Sequence, residues 1–240
     1  MHPGGSAGDY SQPAVTNNAL GGACMSQLIV FYDEQPVELK RPVELHQSPL
    51  PEAGDARSVD GPIREGLVYV QVPSETGMVL VPFGEYDEWS LRDRYNEAIR
   101  IMNTLGASSI SCQTFREVTK RRRLALRVKS KGPAVEQQRV ENSGFDFHHS
   151  GTGSIARDPR PLRWAHEPGF SAAVSSVLDN QATKVEINIR SQRKYSVNGT
   201  LGVTLKKLGF DLGGNATSTG ATTLHISAEF PSRQPQRGWR

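Results

Sequence analysis

From Thr183 to Phe230 apolar and polar residues trade places at every second position, and this restricts the fold more than any other feature of the chain. Val185, Ile187 and Ile189 stand between Lys184, Glu186, Asn188 and Arg190. Leu224, Ile226, Ala228 and Phe230 stand between Thr223, His225, Ser227 and Glu229. Successive side chains of a strand point to opposite faces, so each run is a ribbon with one greasy and one polar side. A ribbon of this kind needs a second layer over its apolar side, as in a half-buried antiparallel sheet.

Other elements can be placed around these ribbons. Gln27 to Tyr32 reads as a short strand. Gly66 to Val72 and Met78 to Phe83 read as an antiparallel pair, joined through residues 73–77 by a loop rather than a tight turn. Leu91, Tyr95, Ala98, Met102 and Leu105 trace one stripe on a 3.6-residue spiral, which predicts a helix over 88–105 capped by Asp87 or Ser90 and ended by Gly106. A strand from Ser108 to Phe115 follows, then a basic strand over 121–130. Pro168 fits the first turn of a second helix, 168–181.

The expected class is α+β: a mixed, mainly antiparallel sheet with two or three helices packed on one face. Residues 1–24 read as a disordered leader, with Met25 as an alternative start, and 231–240 as a flexible basic tail. Pro36, Pro42, Pro49, Pro51 and Pro62 make 33–62 an irregular surface excursion. Residues 133–163 lack periodicity and serve as the boundary if the chain has two lobes, 25–132 and 164–230. The segment 195–208 fits either a strand or a helical stripe closed by Gly209. Its glycines and β-branched residues favour strand.

Charge is distributed unevenly. The net charge of +3 hides residues 116–131, where eight Lys or Arg face one Glu, a balance of +7. Residues 1–60 hold eight acids against Lys40, Arg41 and Arg57. A segregated basic run is the footprint of a surface that meets phosphates or anionic headgroups. It is also what a solvated basic face looks like, and Leu124, Leu126 and Val128 alternate with Arg123, Arg127 and Lys129 as in an amphipathic strand with a guarded edge.

Candidate chemistry is sparse. Asp146, His148, His149 and His166 are the residues able to ligate a metal or carry an enzyme site, yet adjacent histidines on a strand face opposite ways. A solvated loop is the better reading there, so no metal, cofactor or catalytic set is expected. Gly151 and Gly153 lack the strand and helix that would frame a phosphate loop. Trp164 is a packing anchor or a ligand contact. Two cysteines, Cys24 and Cys112, match no metal or redox spacing and fit a cytoplasmic protein, and no apolar run is long enough for a transmembrane helix.

These features rank three functions. The first is a soluble, non-enzymatic binding or assembly module that presents Lys120, Arg121, Arg122, Arg123, Arg127 and Lys129 to an anionic partner, nucleic acid or a membrane surface, with self-association open. The second is a membrane-acting effector or pore former using 184–230, with Lys206, Lys207 and Phe210 as the contact element. The third is an enzyme or metal-binding protein around His148, His149 and His166.

Overall fold

The computed structural model describes residues 27–39, 43–54, 56–74, 77–119, 135–139, 145–191, 195–214 and 221–232, with the side chains of 74, 116–119 and 135–139 left aside. These residues form two five-stranded sheets and three α-helices, an α+β architecture.

The first sheet contains β1 (Gln27–Tyr32), β2 (Leu45–Pro49), β3 (Arg57–Ser58), β4 (Val68–Ser74) and β5 (Gly77–Pro82), in the order β2-β1-β4-β5-β3. The proline-rich excursion therefore holds two strands after all. Both lie at the outer edges of the sheet, where a missing N–H costs no ladder bond. β4 and β5 pair antiparallel as far as Ser74 opposite Gly77, so their connection is tighter than the sequence implied. Among the described residues β1 pairs with Val68 to Gln71 and not with Pro73, whose described partner is Met78 of β5.

α1 (Tyr86–Thr104) starts earlier than its apolar stripe predicts, and neither Asp87 nor Ser90 caps it: the N-cap is Glu85, without a side-chain cap bond. Gly106 does end the helix, at φ +83. The second sheet follows: β6 (Ser109–Thr119), β7 (Val135–Arg139), β8 (Phe147–Ser150), β9 (Lys184–Arg190) and β10 (Thr222–Glu229). The order is β7-β6-β10-β9, and β8 lies end to end with β7 along the same edge of β6. Every pairing in it is antiparallel.

The alternating ribbons are β9 and β10, neighbours in the sheet. Their register sets Ile226 opposite Ile187 and Cys112, and Leu224 opposite Ile189 and Thr114. Those side chains are buried beneath α1 and α2 (Pro168–Leu178), together with Phe170, Val174 and Val177. Truncating Ile226 to Ala in this layer should cost about 2–5 kcal/mol, the range for a large aliphatic replaced in a core, read from the urea midpoint.

One segment was misread from local preference. Residues 200–207 form a helix, α3 (Thr200–Lys207), not a strand. Leu205 on its inner face is fully buried, and burial of that stripe outweighs the weak helix propensity of its glycines and β-branched residues. Gly202 fits there because a Cβ would stand 2.6 Å from the carbonyl oxygens of Ser196 and Val197.

The two cores do not divide at 133–163. Tyr195, Val197, Leu205, Phe210 and Leu212 pack with Leu28, Val30, Val68, Val70 and Phe83 against the first sheet. The other face of that sheet buries Ile29, Phe31, Tyr69 and Leu80. α1 and β6, which lie in the first half of the chain, belong to the second core. The chain therefore crosses between the cores after β5, after β9 and again before β10, because apolar burial rather than sequence proximity decides which sheet each segment joins.

Candidate binding face of the second sheet

The second sheet is buried on one side and uncovered on the other among the described residues. The described helices that pack on it, α1 and α2, lie on the side of Ile187, Ile226 and Cys112. The pleat turns the alternate residues the opposite way. One row across the sheet runs Glu186, Ser227, Ser111, His148, and the next runs Asn188, His225, Gln113. A third brings Arg190 and Thr223 beside Phe115, which is opposite Arg139 in register. None of the described residues on this face is buried.

The face is polar without being strongly charged. Lys184 and Glu186 form an ion pair of 2.8 Å along the strand. The Lys184 hydrogen bond and charge hold the Glu186 carboxyl below its ordinary value and push Lys184 above its own. With Arg190 and Glu229 added, the face of β9 and β10 carries two cations and two anions. His225 Nδ1 lies 2.9 Å from Asn188 Oδ1, and since an amide oxygen only accepts, Nδ1 is the donor in that pair.

A polar network on the other side holds the helices in place. Glu97 on α1, fully buried, accepts hydrogen bonds from Arg100 Nε and Nη2 at 2.7 Å and from the backbone N–H of Arg163 at 3.0 Å. Burial favours its neutral form, but the bonds from Arg100 and Arg163 outweigh that and leave the carboxyl below its ordinary value. Arg94, only 3% exposed, donates to Glu167 at 3.2 Å and to the carbonyl oxygen of Arg190 at 3.1 Å. Its guanidinium sits 5.6 Å from the Trp164 ring, whose Nε1 donates to Asp93 at 2.7 Å. Trp164 is thus an anchor: it straps residues 163–167 onto α1 and sets the entry of α2 over β9.

The residues singled out by sequence are dispersed. Lys120, Arg121, Arg122, Arg123, Arg127 and Lys129, with the strand expected over 121–130, lie outside the described residues. Lys206 and Lys207 are exposed at the last turn of α3, where cations suit the negative helix end. Phe210, expected at a surface, is 5% exposed and packs inside the first core. His148 and His149 sit on β8 facing opposite ways, and His166 is exposed on the strap. Among the described residues no three His, Cys, Asp or Glu groups converge as a metal site would require. Gly151 and Gly153 bond or pack against the 106–108 turn rather than opening a helix. Cys112 is a core thiol pushed up to about 12 by burial and by Asp146, which leaves no thiolate for chemistry at neutral pH.

Membrane insertion of 184–230 would require lifting α1 and α2 from Ile187, Ile189, Leu224 and Ile226. No described helix is long and apolar enough to cross a membrane. Ser111, Gln113, Phe115 and His225 were not picked out as a group by sequence reasoning. Their signal was present in the polar half of the alternation, which reads as mere solvation until a register shows which strands share the face. No family model, curated protein or solved structure matches this chain.

Proposed function

We propose that this protein is a binding module for a polyanion, nucleic acid foremost, which it engages through the basic segment between β6 and β7. The observation that supports this reading is where that segment starts and stops. Thr119 pairs with Val135 in the antiparallel register of β6 and β7, so the sequence stretch 120–134 joins two strand ends that are partners in the sheet. Those fifteen residues hold seven Lys or Arg and no acid. Seven cations within fifteen consecutive residues concentrate positive potential more than the same charges spread over the chain, and phosphate chains are held mainly by such a field.

Fluorescence anisotropy with a labelled oligonucleotide across ~50–200 mM salt tests it. Binding should weaken steeply with salt, and replacing Arg121, Arg122 and Arg123 by Glu should lower the log–log slope by about 2 if three phosphate contacts are lost, at roughly 0.7 per contact for a single strand. Affinity at low salt should fall at least about tenfold, since each ~1.4 kcal/mol lost is a factor of ten. An intact protein that binds no oligonucleotide even at low salt would dispose of the proposal. Binding to anionic vesicles with none to oligonucleotides would redirect it to a membrane surface.

A further inference from the structure

The second core is hollow at the end where α1 stops. Residues 153–156, the last turn of α2, residues 181–182 and residues 230–232 meet there around a cavity of about 520 Å3, within the roughly 300–1,000 Å3 of small-molecule sites. Leu105, Val177 and Phe230, all core residues, line it from within. Gly153, Ala156 and Ala182 stand at its walls, and their side chains are too short to fill the space. Main-chain bonds fix those walls: Ser154 N–H donates to the Gly106 carbonyl oxygen at 3.1 Å, Ala182 N–H to Ser176 at 2.9 Å and Phe230 N–H to Thr183 at 2.9 Å. Gly153 is so closely packed that a Cβ would lie 2.9 Å from both the Gly106 carbonyl oxygen and Pro231 Cδ. The segments around the cavity are thus already in place, and a site formed in advance loses little order on binding.

We infer that this cavity binds an uncharged, mainly hydrocarbon small molecule, a role separate from the polyanion reading above. Charge selects the class. Among the described residues no ionisable side chain lines the cavity, and its polar side chains, Ser154, Gln181 and Ser232, are all neutral. An ion taken in would give up its water with no counter-charge to replace it. An apolar body gains from burial, and a neutral polar group on it can meet the rim. Two details of the rim fit such an occupant. Ile155 is 85% exposed, the most exposed large apolar side chain among the described residues, and it lines the cavity. Gln181, also on the lining, holds φ +54 and is the one described residue other than glycine in the left-handed region, a strained conformation of the kind that collects at ligand sites.

The experiment titrates the full chain with two fluorescent probes: N-phenylnaphthylamine, which is uncharged, and anilinonaphthalene sulfonate, the same skeleton carrying an anion. The uncharged probe should saturate at about one per chain and bind at least about tenfold tighter than the sulfonate. Non-specific attraction would give the opposite order, because the chain's net charge of +3 favours the anion. Ile155→Asp should weaken the uncharged probe by about fivefold or more, since it replaces apolar surface that the ligand covers. Ala182→Phe, which fills the cavity, should abolish saturable binding. Val203→Asp, at an exposed apolar position on α3, should leave it unchanged. Thermal melting checks that each variant folds. If Ala182→Phe does not, Ile155→Asp compared with Val203→Asp gives the same reading from two exposed positions. No saturable binding of the uncharged probe, a sulfonate bound as tightly, or equal affinity in Ile155→Asp and Val203→Asp would each overturn the inference.

Discussion

Glu97→Ala should destabilise the protein by about 2–4 kcal/mol, somewhat below the 3–5 typical when one partner of a fully buried ion pair is deleted. The reduction follows from the partners. The Glu97 carboxylate is wholly inside, whereas the Arg100 and Arg163 side chains keep 41% and 38% of their surface in water, so their charges are not stranded when it is lost. The damage comes from the backbone N–H of Arg163 losing its acceptor and from the strap over α1 losing a tether. Urea unfolding reads this as a lower midpoint at unchanged slope. A loss below about 0.5 kcal/mol would place the residue in the range of ordinary surface substitutions and show that Trp164 and Arg94 hold the strap without it.

The same residue makes a pH prediction. Glu97 titrates below its usual value of 4.5 in the folded protein, so the unfolded chain binds its proton more readily. Its stabilisation is full above that usual value and is lost as pH falls through the lower folded value. Glu97→Gln should therefore flatten the stability profile on the acid side of about pH 4.5 and leave its shape near neutrality unchanged. An acid limb as steep as the wild type's would assign the acid sensitivity to other carboxylates.

What could be read from the sequence follows a physical division between local and distant causes. The β9 and β10 alternation, the α1 stripe and the Gly106 stop all depend on neighbours a few positions away, and each was legible. Thr200–Lys207 was not, because what makes it helical is Leu205 reaching the first sheet, more than a hundred residues away in sequence. β2, which ends in Pro49, was hidden for a related reason: a strand containing proline is excluded from a sheet interior, and nothing local says that it lies at an edge; β3 is only two residues long. The candidate face stood between these cases. Its polar residues were visible one strand at a time, but the row Asn188, His225, Gln113 exists only through pairings that span 37 and 112 positions. The basic run shows the reverse. Its charge was plain from composition, whereas the pairing of Thr119 with Val135 on either side of it was not.

Gly84→Ala should be among the most damaging single changes in the molecule, and the reason lies in how the chain returns to the first sheet. Gly84 follows β5 and donates its N–H to Leu212 at 2.7 Å, while Asp211 bonds the backbone of Gly66 and Val68 at 2.9 Å. These bonds draw residues 211–213 so close that a Cβ on Gly84 would stand 2.1 Å from the Gly213 carbonyl oxygen and 2.9 Å from Val197. The obstacle is backbone, which cannot rotate aside as a long side chain would. Alanine gains roughly 0.4–1 kcal/mol by restricting the unfolded chain, but overpacking costs typically 1–3 kcal/mol and more when main chain must move. The second effect should win by about 2 kcal/mol or more. Gly209→Ala supplies the contrast: its φ of +92 strains any side chain, yet nothing lies within 4 Å of the added atom, so its cost should stay near 1 kcal/mol. Thermal or urea denaturation of both variants separates the two mechanisms. If Gly84→Ala proves no worse than Gly209→Ala, then residues 211–213 can withdraw from the first sheet cheaply, and the return of the chain between the two cores is a loose contact instead of a structural joint.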